Sequence, residues 1–598
     1  MQERDKEKAF AAKKYFLFAF KKYISNSNGI IAKRFSPSVR ELLIDYIEIY
    51  EDMMSKSENE KLKKSKMELI QSINFYLKES IFYKEKIYKE EFEYLLNDFE
   101  NIHAGNIKQA EENRVYNKCK SLVKKIDNEN IYKKLVNVLK NTISYEVVDK
   151  VIDAFVSELL YDEISLEYMN NWYTKNISKY LSIINDENIN DVLEHFSSLY
   201  KEENEFTYYI SIKSKEELQE KIYLESALIL EREDYDNLEL IDENSNKNEK
   251  SYLPNGGDNY IYSISIMGKD YFKGLELICE SIISYFQIVN YTKDENEITL
   301  NDKVVIKIAD SRYVKKRNEK CDGNILFYNS EKRKKSDIKD FIEYRDKVYL
   351  NNIKPDEISN IQRAINIIEN QSKQSKENRL INLWSVLEYM LTFHEGSSII
   401  SKVKDIIPKV ICLYYIKDKI NMFWNDVNLY SNSKKDIIHE IISECKVEND
   451  DYRYDLEKFI KYLESKQEKI VTELEFNDNL KRQISEIGML LFMPKKRIEI
   501  ISKKYNEVEM DLIRIYRDRN VLIHSGRRDI KNLDYKSLRL YYYNRAVLGV
   551  IIHYKKKNPN LTIEEILNSI EYTYEKYISE IESSELINIC RMKYLFIS

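Results

Sequence analysis

From the start to about residue 204, apolar residues recur at three- and four-residue steps, as in Val39 to Met54, Lys66 to Leu77 and Val147 to Leu160. That is the spacing of one buried helix face. Polar clusters such as Ser55-Lys56-Ser57-Glu58-Asn59-Glu60 separate these segments. No fixed-period repeat links them, so the pattern predicts a helical N-terminal region (1–204), a scaffold or a sensor, and not a solenoid.

Near residue 205 the period changes. Phe206-Thr207-Tyr208-Tyr209-Ile210-Ser211-Ile212 reads as a strand, rich in aromatic and β-branched residues. Lys213 to Leu230 reads as a helix, and Asp242 to Asn259, with Pro254-Asn255-Gly256-Gly257, as a loop. Tyr260 to Ile266 alternates as a second strand, and Asp270 to Ile288 returns to helical spacing. Glu297-Ile298-Thr299-Leu300 and Val304 to Ile308 predict a hairpin turning at Asn301-Asp302. Together these describe a small α/β (α+β) module over 205–350. Two basic runs follow, Lys315-Lys316-Arg317 and Lys332-Arg333-Lys334-Lys335, around an expected strand at Ile325 to Tyr328. As loops on a small sheet, Lys315, Lys316, Arg317, Arg333, Lys334 and Lys335 would offer cations to an RNA backbone. As solvated charge beside acidic neighbours they would have no such role.

The last part, 351–598, is helical again. Ile361 to Leu391 holds an apolar stripe that includes Leu383-Trp384-Ser385-Val386-Leu387-Glu388. Ser397 to Tyr415 is a helix kinked or restarted at Pro408. Lys434 to Glu473 reads as an insertion or a helix pair, and Val508 to His524, Leu538 to Tyr554 and Ile563 to Ile581 complete a helical bundle. The fold class expected overall is mainly α.

Composition agrees with that class. Only 11 Gly and 6 Pro occur in 598 residues, so helices can run without breakers. The charged fraction is 33% with both signs mixed, as on solvated helix faces. The 48 Tyr accompany many Lys, Asn and Ile, the mark of AT-rich codons, and are not taken as a stacking surface. A net charge of −6 confines any grip on a polyanion to a local patch. Six scattered cysteines form no CxxC pair, which indicates neither a zinc site nor a disulfide framework. The N-terminal segment is broken by Lys13, Lys14, Lys21 and Lys22, unlike a secretory leader, and no later run is long and apolar enough to span a membrane. The expectation is a cytoplasmic protein that makes no membrane contact.

One short segment carries chemistry. Arg519-Asn520-Val521-Leu522-Ile523-His524 is followed at once by Ser525-Gly526. RNA brings its own nucleophile, the 2′-hydroxyl. Cleavage needs a group that moves a proton and a fixed cation for the phosphorane, and histidine and arginine supply these without a metal. Arg519 and His524 differ by about 140° around an ideal helix, which the length of arginine can bridge. Asn520, four residues before His524, is placed to orient the imidazole or to touch the phosphate. Arg517, seven residues before it, shares its face as a second arginine. His103, His195 and His439 are lone histidines with structural roles. No Gly-rich phosphate loop, HExxH or G-x-S-x-G is present.

Ile515 to Gly526 resembles the signature of the HEPN superfamily, in which ribonuclease members carry Arg, a polar residue (often Asn), a few apolar residues and His. Leu383 to Glu388 looks like the first long helix of the Apea-like HEPN branch, and Tyr260 to Ile308 loosely resembles the module found before such domains. The clear resemblance covers about residues 355–598. It implies a HEPN-type helical bundle, usually dimeric, with two motifs meeting across a two-fold axis. It further implies metal-independent endoribonuclease activity without a cofactor, in a toxin or antiviral-defence (abortive-infection) effector. RNA would be the substrate, and a viral trigger or an inhibitor a further partner. Carried onto this chain, Arg519, Asn520 and His524 are the catalytic set, and Glu388 is a supporting residue that positions the arginine or the histidine, or else a plain salt-bridging carboxylate. With one motif per chain, a composite site would need a homodimer or higher oligomer. The alternative is a non-catalytic HEPN-like dimerisation or nucleotide/RNA-binding protein, with the histidine buried and both arginines serving a ligand.

Overall fold

Scarce helix breakers let single helices run far. The longest among the described residues extends for 32 residues from Pro494 to Ser525, about 48 Å at 1.5 Å per residue. Proline at its first position costs no hydrogen bond there. The computed structural model describes residues 3–25, 36–55, 60–106, 109–199, 203–214, 227–230, 241–242, 253, 259–291, 298–309, 312–317, 342–351, 353–371, 374–392, 398–433, 435–447, 450–525 and 530–581.

In chain order the main helices are α1 (Glu3–Ser25), α2 (Val39–Ser55), α3 (Glu60–Glu79), α4 (Lys89–His103), α5 (Gln109–Asn128), α6 (Ile131–Asn141), α7 (Tyr145–Tyr161), α8 (Leu166–Asn176) and α9 (Tyr271–Tyr291). They continue with α10 (Pro355–Asn370), α11 (Lys376–Leu391), α12 (Ile399–Leu429), α13 (Asp436–Cys445), α14 (Leu456–Glu473), α15 (Asp478–Phe492), α16 (Pro494–Ser525), α17 (Leu533–Lys557) and α18 (Ile563–Ile581). The strands are β1 (Asn204–Ser214), β2 (Ala227–Leu230), β3 (Ile241–Asp242), β4 (Asn259–Gly268), β5 (Ile298–Ala309) and β6 (Arg312–Arg317), with a small hairpin of β7 (Lys446–Val447) and β8 (Asp450–Tyr454) between α13 and α14. The fold is mainly α with a small central α/β module.

The chain divides into two units, one of Met1–Phe20, Gly29–Ala154 and Glu331–Ser598, the other of Lys21–Asn28 and Phe155–Ser330. These cuts differ from the three consecutive regions that periodicity suggests. Most of the N-terminal helices share a unit with the C-terminal bundle, and residues 155–204 go with the sheet.

In the first unit α12 lies against α15, α16, α17 and α18, and α11 packs on α16 and α17. Its core is apolar and dense, with Leu383, Trp384, Leu387, Ile407, Ile411, Trp424, Leu512, Ile515, Val547, Ile551, Ile566 and Ile570 all buried. Pro408 sits inside α12, which continues through it. Arg497 solves a local problem of helix ends. It is 1% exposed, and its guanidinium donates to the carbonyls of Leu490 and Leu491 near the end of α15 and of Ile581 at the end of α18.

The second unit is a six-stranded sheet in the order β2-β4-β1-β5-β6-β3, antiparallel except for the β3–β6 pair. Helix α9 packs on β1, β4 and β5. A Cβ at Gly274 would meet the Tyr208 hydroxyl at 2.1 Å, so glycine is what allows α9 to approach β1.

Three sequence expectations for this sheet need correction. Ala227 to Leu230, read as the end of a helix, is a strand paired with β4; a short apolar run serves either state, and here the neighbouring strand decides. Residues 215–226 lie outside the described set. Asn301-Asp302 is not a turn, because β5 runs through it as one strand. Asn301 donates to the Ser211 hydroxyl at 2.7 Å where the β1–β5 register shifts, so the turn-forming residue serves a bulge. Lys315, Lys316 and Arg317 are not in a loop. They belong to β6, in register opposite Val305, Val304 and Lys303, where the neighbouring Tyr313 and Val314 favour extended backbone. Arg333, Lys334, Lys335 and the expected strand at Ile325 to Tyr328 lie outside the described residues.

Candidate functional site

Helix α16 carries the whole Arg-Asn-x-x-x-His segment and ends at Ser525, one residue past His524. Its apolar face anchors it, since Leu512, Ile515 and Leu522 are buried. Two different polar surroundings then form on the rest of its circumference.

The first holds Arg519. Its Nη2 lies 3.3 Å from Oε1 of Glu388 on α11, and its Nη1 donates to Oδ1 of Asn520 at 3.1 Å. The same Glu388 oxygen accepts from Trp384 Nε1 at 3.1 Å, one helical turn earlier on α11. The Trp384 ring in turn packs on Tyr516, at 5.1 Å between centroids. Tyr516 precedes Arg519 by three residues, the spacing that puts them on neighbouring positions of one face. Two helices thus hold the arginine through a chain of contacts: Tyr516, Trp384, Glu388, Arg519, Asn520. The Arg519 Nε is buried and has no hydrogen-bond partner among the described residues. The Arg519 and Glu388 side chains are 20% and 28% exposed, so solvent reaches both.

The second surrounding takes the other arginine away. Arg517 is 8% exposed and its Nη1 lies 2.8 Å from Asp45, its Nη2 2.8 Å from Glu48, both on α2. Arg514 pairs with Glu41 at 2.7 Å and with Asp45 at 2.8 Å. Lys536 on α17 reaches Glu41 at 2.9 Å and Asp518 at 2.6 Å, and Asn532 donates to Glu41 at 2.9 Å. Glu41, Asp45 and Glu48 stand at i, i+4 and i+7, one acidic face of α2; Arg514 and Arg517 stand at i and i+3 on α16. These two stripes mate. Burial alone would raise the Glu41 carboxyl, but the charges of Lys536 and Arg514 bring it down to about 2. Arg517 therefore does not join Arg519 and His524 as a second phosphate clamp: its charge is already neutralised by α2.

His524 is exposed, and among the described residues it makes no hydrogen bond to Arg519, Asn520 or Glu388. Asn520 holds the arginine and not the imidazole. Ile523 beside His524 is also exposed, at 41%, an apolar side chain on the open side of the helix end. Lys315, Lys316 and Arg317 fall in the other unit. Two of the lone histidines have local partners: His439 Nε2 lies 2.8 Å from the Ser433 carbonyl, and His195 stacks on Tyr180.

Sequence reading named Glu388 and Trp384, included Tyr516 in the motif without giving it a role, and missed the acidic face of α2. The i, i+3 step from Tyr516 to Arg519 was a usable signal. The mating of Glu41, Asp45 and Glu48 with residues more than 460 positions away was not, because local spacing carries no information on distant pairing. Among the described residues no group of three or more His, Cys, Asp or Glu side chains is placed to hold a metal ion. Among the described residues Cys119, Cys412 and Cys445 are free and buried, Cys279 is buried, and no helix is long and apolar enough to cross a membrane. Compared with protein-family models, with curated proteins and with solved structures, the chain finds no match.

Proposed function

We propose that this chain is a metal-independent endoribonuclease of HEPN type that cleaves RNA through attack by the 2′-hydroxyl. The observation that carries this reading is the held arginine: Arg519 clasped by Glu388 and Asn520, on the same helix end as an exposed His524. His524 would move the proton of the attacking or leaving oxygen, and Arg519 would take the charge that develops on the phosphorane. The Arg519–Glu388 contact suits this role. A partly exposed, single-contact ion pair contributes only about 0–1 kcal/mol, so a phosphate can share or replace the carboxylate at little cost. Glu388 then acts as a positioning residue that keeps the guanidinium from collapsing elsewhere.

One motif per chain supplies one arginine and one histidine, so the active form would be a homodimer or higher oligomer with its motifs adjoining, and the exposed Ile523 fits a helix end covered by a second copy. The biological setting suggested by the resemblance is a toxin or antiviral-defence effector in the cytoplasm, answering to a viral trigger or an inhibitor. The non-catalytic reading expects a buried histidine and two arginines free for a ligand. An exposed His524 and a neutralised Arg517 favour the catalytic one. Product chemistry tests the mechanism. Fragments should end in a 2′,3′-cyclic phosphate and begin with a 5′-hydroxyl; fragments with 5′-phosphates would point to activated water and rule out this chemistry.

A further inference from the structure

Glu79, the last residue of α3, is surrounded by lysines from three other segments of the same unit. Lys84, in the short helix Ile81–Lys84, has its Nζ 2.9 Å from Glu79 Oε2. Lys150 on α7 approaches the same oxygen at 3.7 Å, and Lys503 on α16 contacts it too. Lys84 and Lys150 thus approach the same carboxylate oxygen. Three ammonium groups gather at the Glu79 carboxylate, and a second carboxylate, Glu146, lies 3.5 Å from Lys150 with its side chain 70% exposed; Glu499 is bonded to Lys496.

Such a set is electrostatically incomplete. Other buried cations of this unit are matched by carboxylates, as Arg514, Arg517 and Lys536 are by Glu41, Asp45, Glu48 and Asp518, or by a set of carbonyls, as Arg497 is. Here the fold holds three ammonium groups against two carboxylates, one of them largely exposed. Burial, then the Lys84 contact and the charges of Lys503 and Lys84, bring the Lys150 ammonium down to about 8. Hydrogen bonds from Lys503 and Lys84 outweigh burial at Glu79 and take its carboxyl down to about 2, so Glu79 is ionised throughout the neutral range. The Lys84 and Lys503 side chains are 35% and 38% exposed, so a solute can reach the cluster.

We propose that Lys84, Lys150 and Lys503 form a phosphate-binding site, in which a phosphate oxyanion bearing two or more charges supplies the negative charge that the fold leaves out. Compact ammonium groups are point-charge phosphate binders and need no fixed plane. Lys503 lies on the motif helix but 16 residues before Arg519, about 24 Å along the axis. The cluster is therefore separate from the Arg519–His524 segment and does not depend on the ribonuclease reading. The phosphate can belong to a free polyphosphate compound or to an RNA strand.

Calorimetric titration of the full chain with inorganic tripolyphosphate, and in parallel with a single-stranded 2′-O-methyl RNA that cannot be cleaved, tests this. Tripolyphosphate binding at pH 7 is expected to weaken about tenfold at pH 9, as Lys150 loses its proton among Lys84, Lys503, Glu79 and Glu146. Lys150→Gln and Lys503→Gln should each weaken binding about tenfold or more, as loss of a charge-assisted hydrogen bond does. Lys503→Arg should retain it, and Glu79→Gln should tighten it by removing the competing acid. A response of RNA alone assigns the site to a nucleic-acid backbone, and a response of tripolyphosphate alone assigns it to a free ligand; both support the proposal. Circular dichroism checks that each variant is folded. If neither probe binds folded wild type, or both bind the folded glutamine variants as tightly as wild type, the proposal is wrong.

Discussion

Arg519 and Glu388 meet at 3.3 Å between α16 and α11, and Trp384 donates to the same carboxylate oxygen at 3.1 Å. The arginine of the motif is therefore held by residues 131 and 135 positions away in sequence. Glu388→Gln keeps the shape and removes the charge. It should lower the RNA cleavage rate about tenfold, a barrier increase of about 1.4 kcal/mol, while the denaturant midpoint moves little because the pair is partly exposed. An unchanged rate in single-turnover assays would make Glu388 a bystander.

Trp384→Phe tests the next link. Phenylalanine keeps ring packing on Tyr516 but loses the Nε1–H that restrains Glu388. We expect a smaller loss of rate than for Glu388→Gln. The protein should be destabilised by about 1–3 kcal/mol, because Trp384 is fully buried and shortening it opens space. Equilibrium urea unfolding and single-turnover rates on the same samples separate the two effects.

The two arginines of the segment should fail in different ways. Arg517→Ala takes its cation from Glu48 and leaves Asp45 and Asp518 to Arg514 and Lys536 alone, and should cost about 3 kcal/mol of stability. Arg519→Ala should cost less than about 1 kcal/mol but abolish cleavage. Thermal unfolding of the two variants side by side reads the difference. Equal destabilisation would mean that both arginines are structural.

Acid should release α2 from α16. The Glu41 carboxyl is held at about 2 by Lys536 and Arg514 against the raising effect of burial. Its folded value is below its unfolded one, so the stability it contributes is complete above about 4.5 and is lost as pH falls towards 2. Urea midpoints should fall steeply over that window in the wild type. In Glu41→Gln the slope should be shallower, from a lower starting stability. Identical slopes would show that Glu41 does not govern the acid limb.

Much of the helical frame was legible because local spacing determines it: α2, α7 and α18 follow the apolar periodicity of Val39 to Met54, Val147 to Leu160 and Ile563 to Ile581. The sheet was less legible. Asn301-Asp302 has turn-forming residues, yet a bulge opposite Ser211 uses Asn301 within a continuous strand, and nothing local separates those outcomes. Ala227 to Leu230 failed for a related reason, since its state is set by the β4 partner. At the site, Arg519, Asn520 and His524 were readable as residues, but their surroundings were not. That Asn520 serves the arginine, that Arg517 is neutralised by Asp45 and Glu48, and that Glu388 is shared with Trp384 depend on which helices pack together, which only the folded chain reveals.

The most direct test of the central claim is RNA cleavage in EDTA by the purified full chain, beside Arg519→Ala and His524→Ala, with folding of each verified. Cleavage by wild type that persists in the chelator and drops at least about a thousandfold in both variants is the predicted result, since either change removes a group acting in the transition state. Equal cleavage by wild type and variants, or cleavage abolished by EDTA and restored by a divalent cation, would contradict the account.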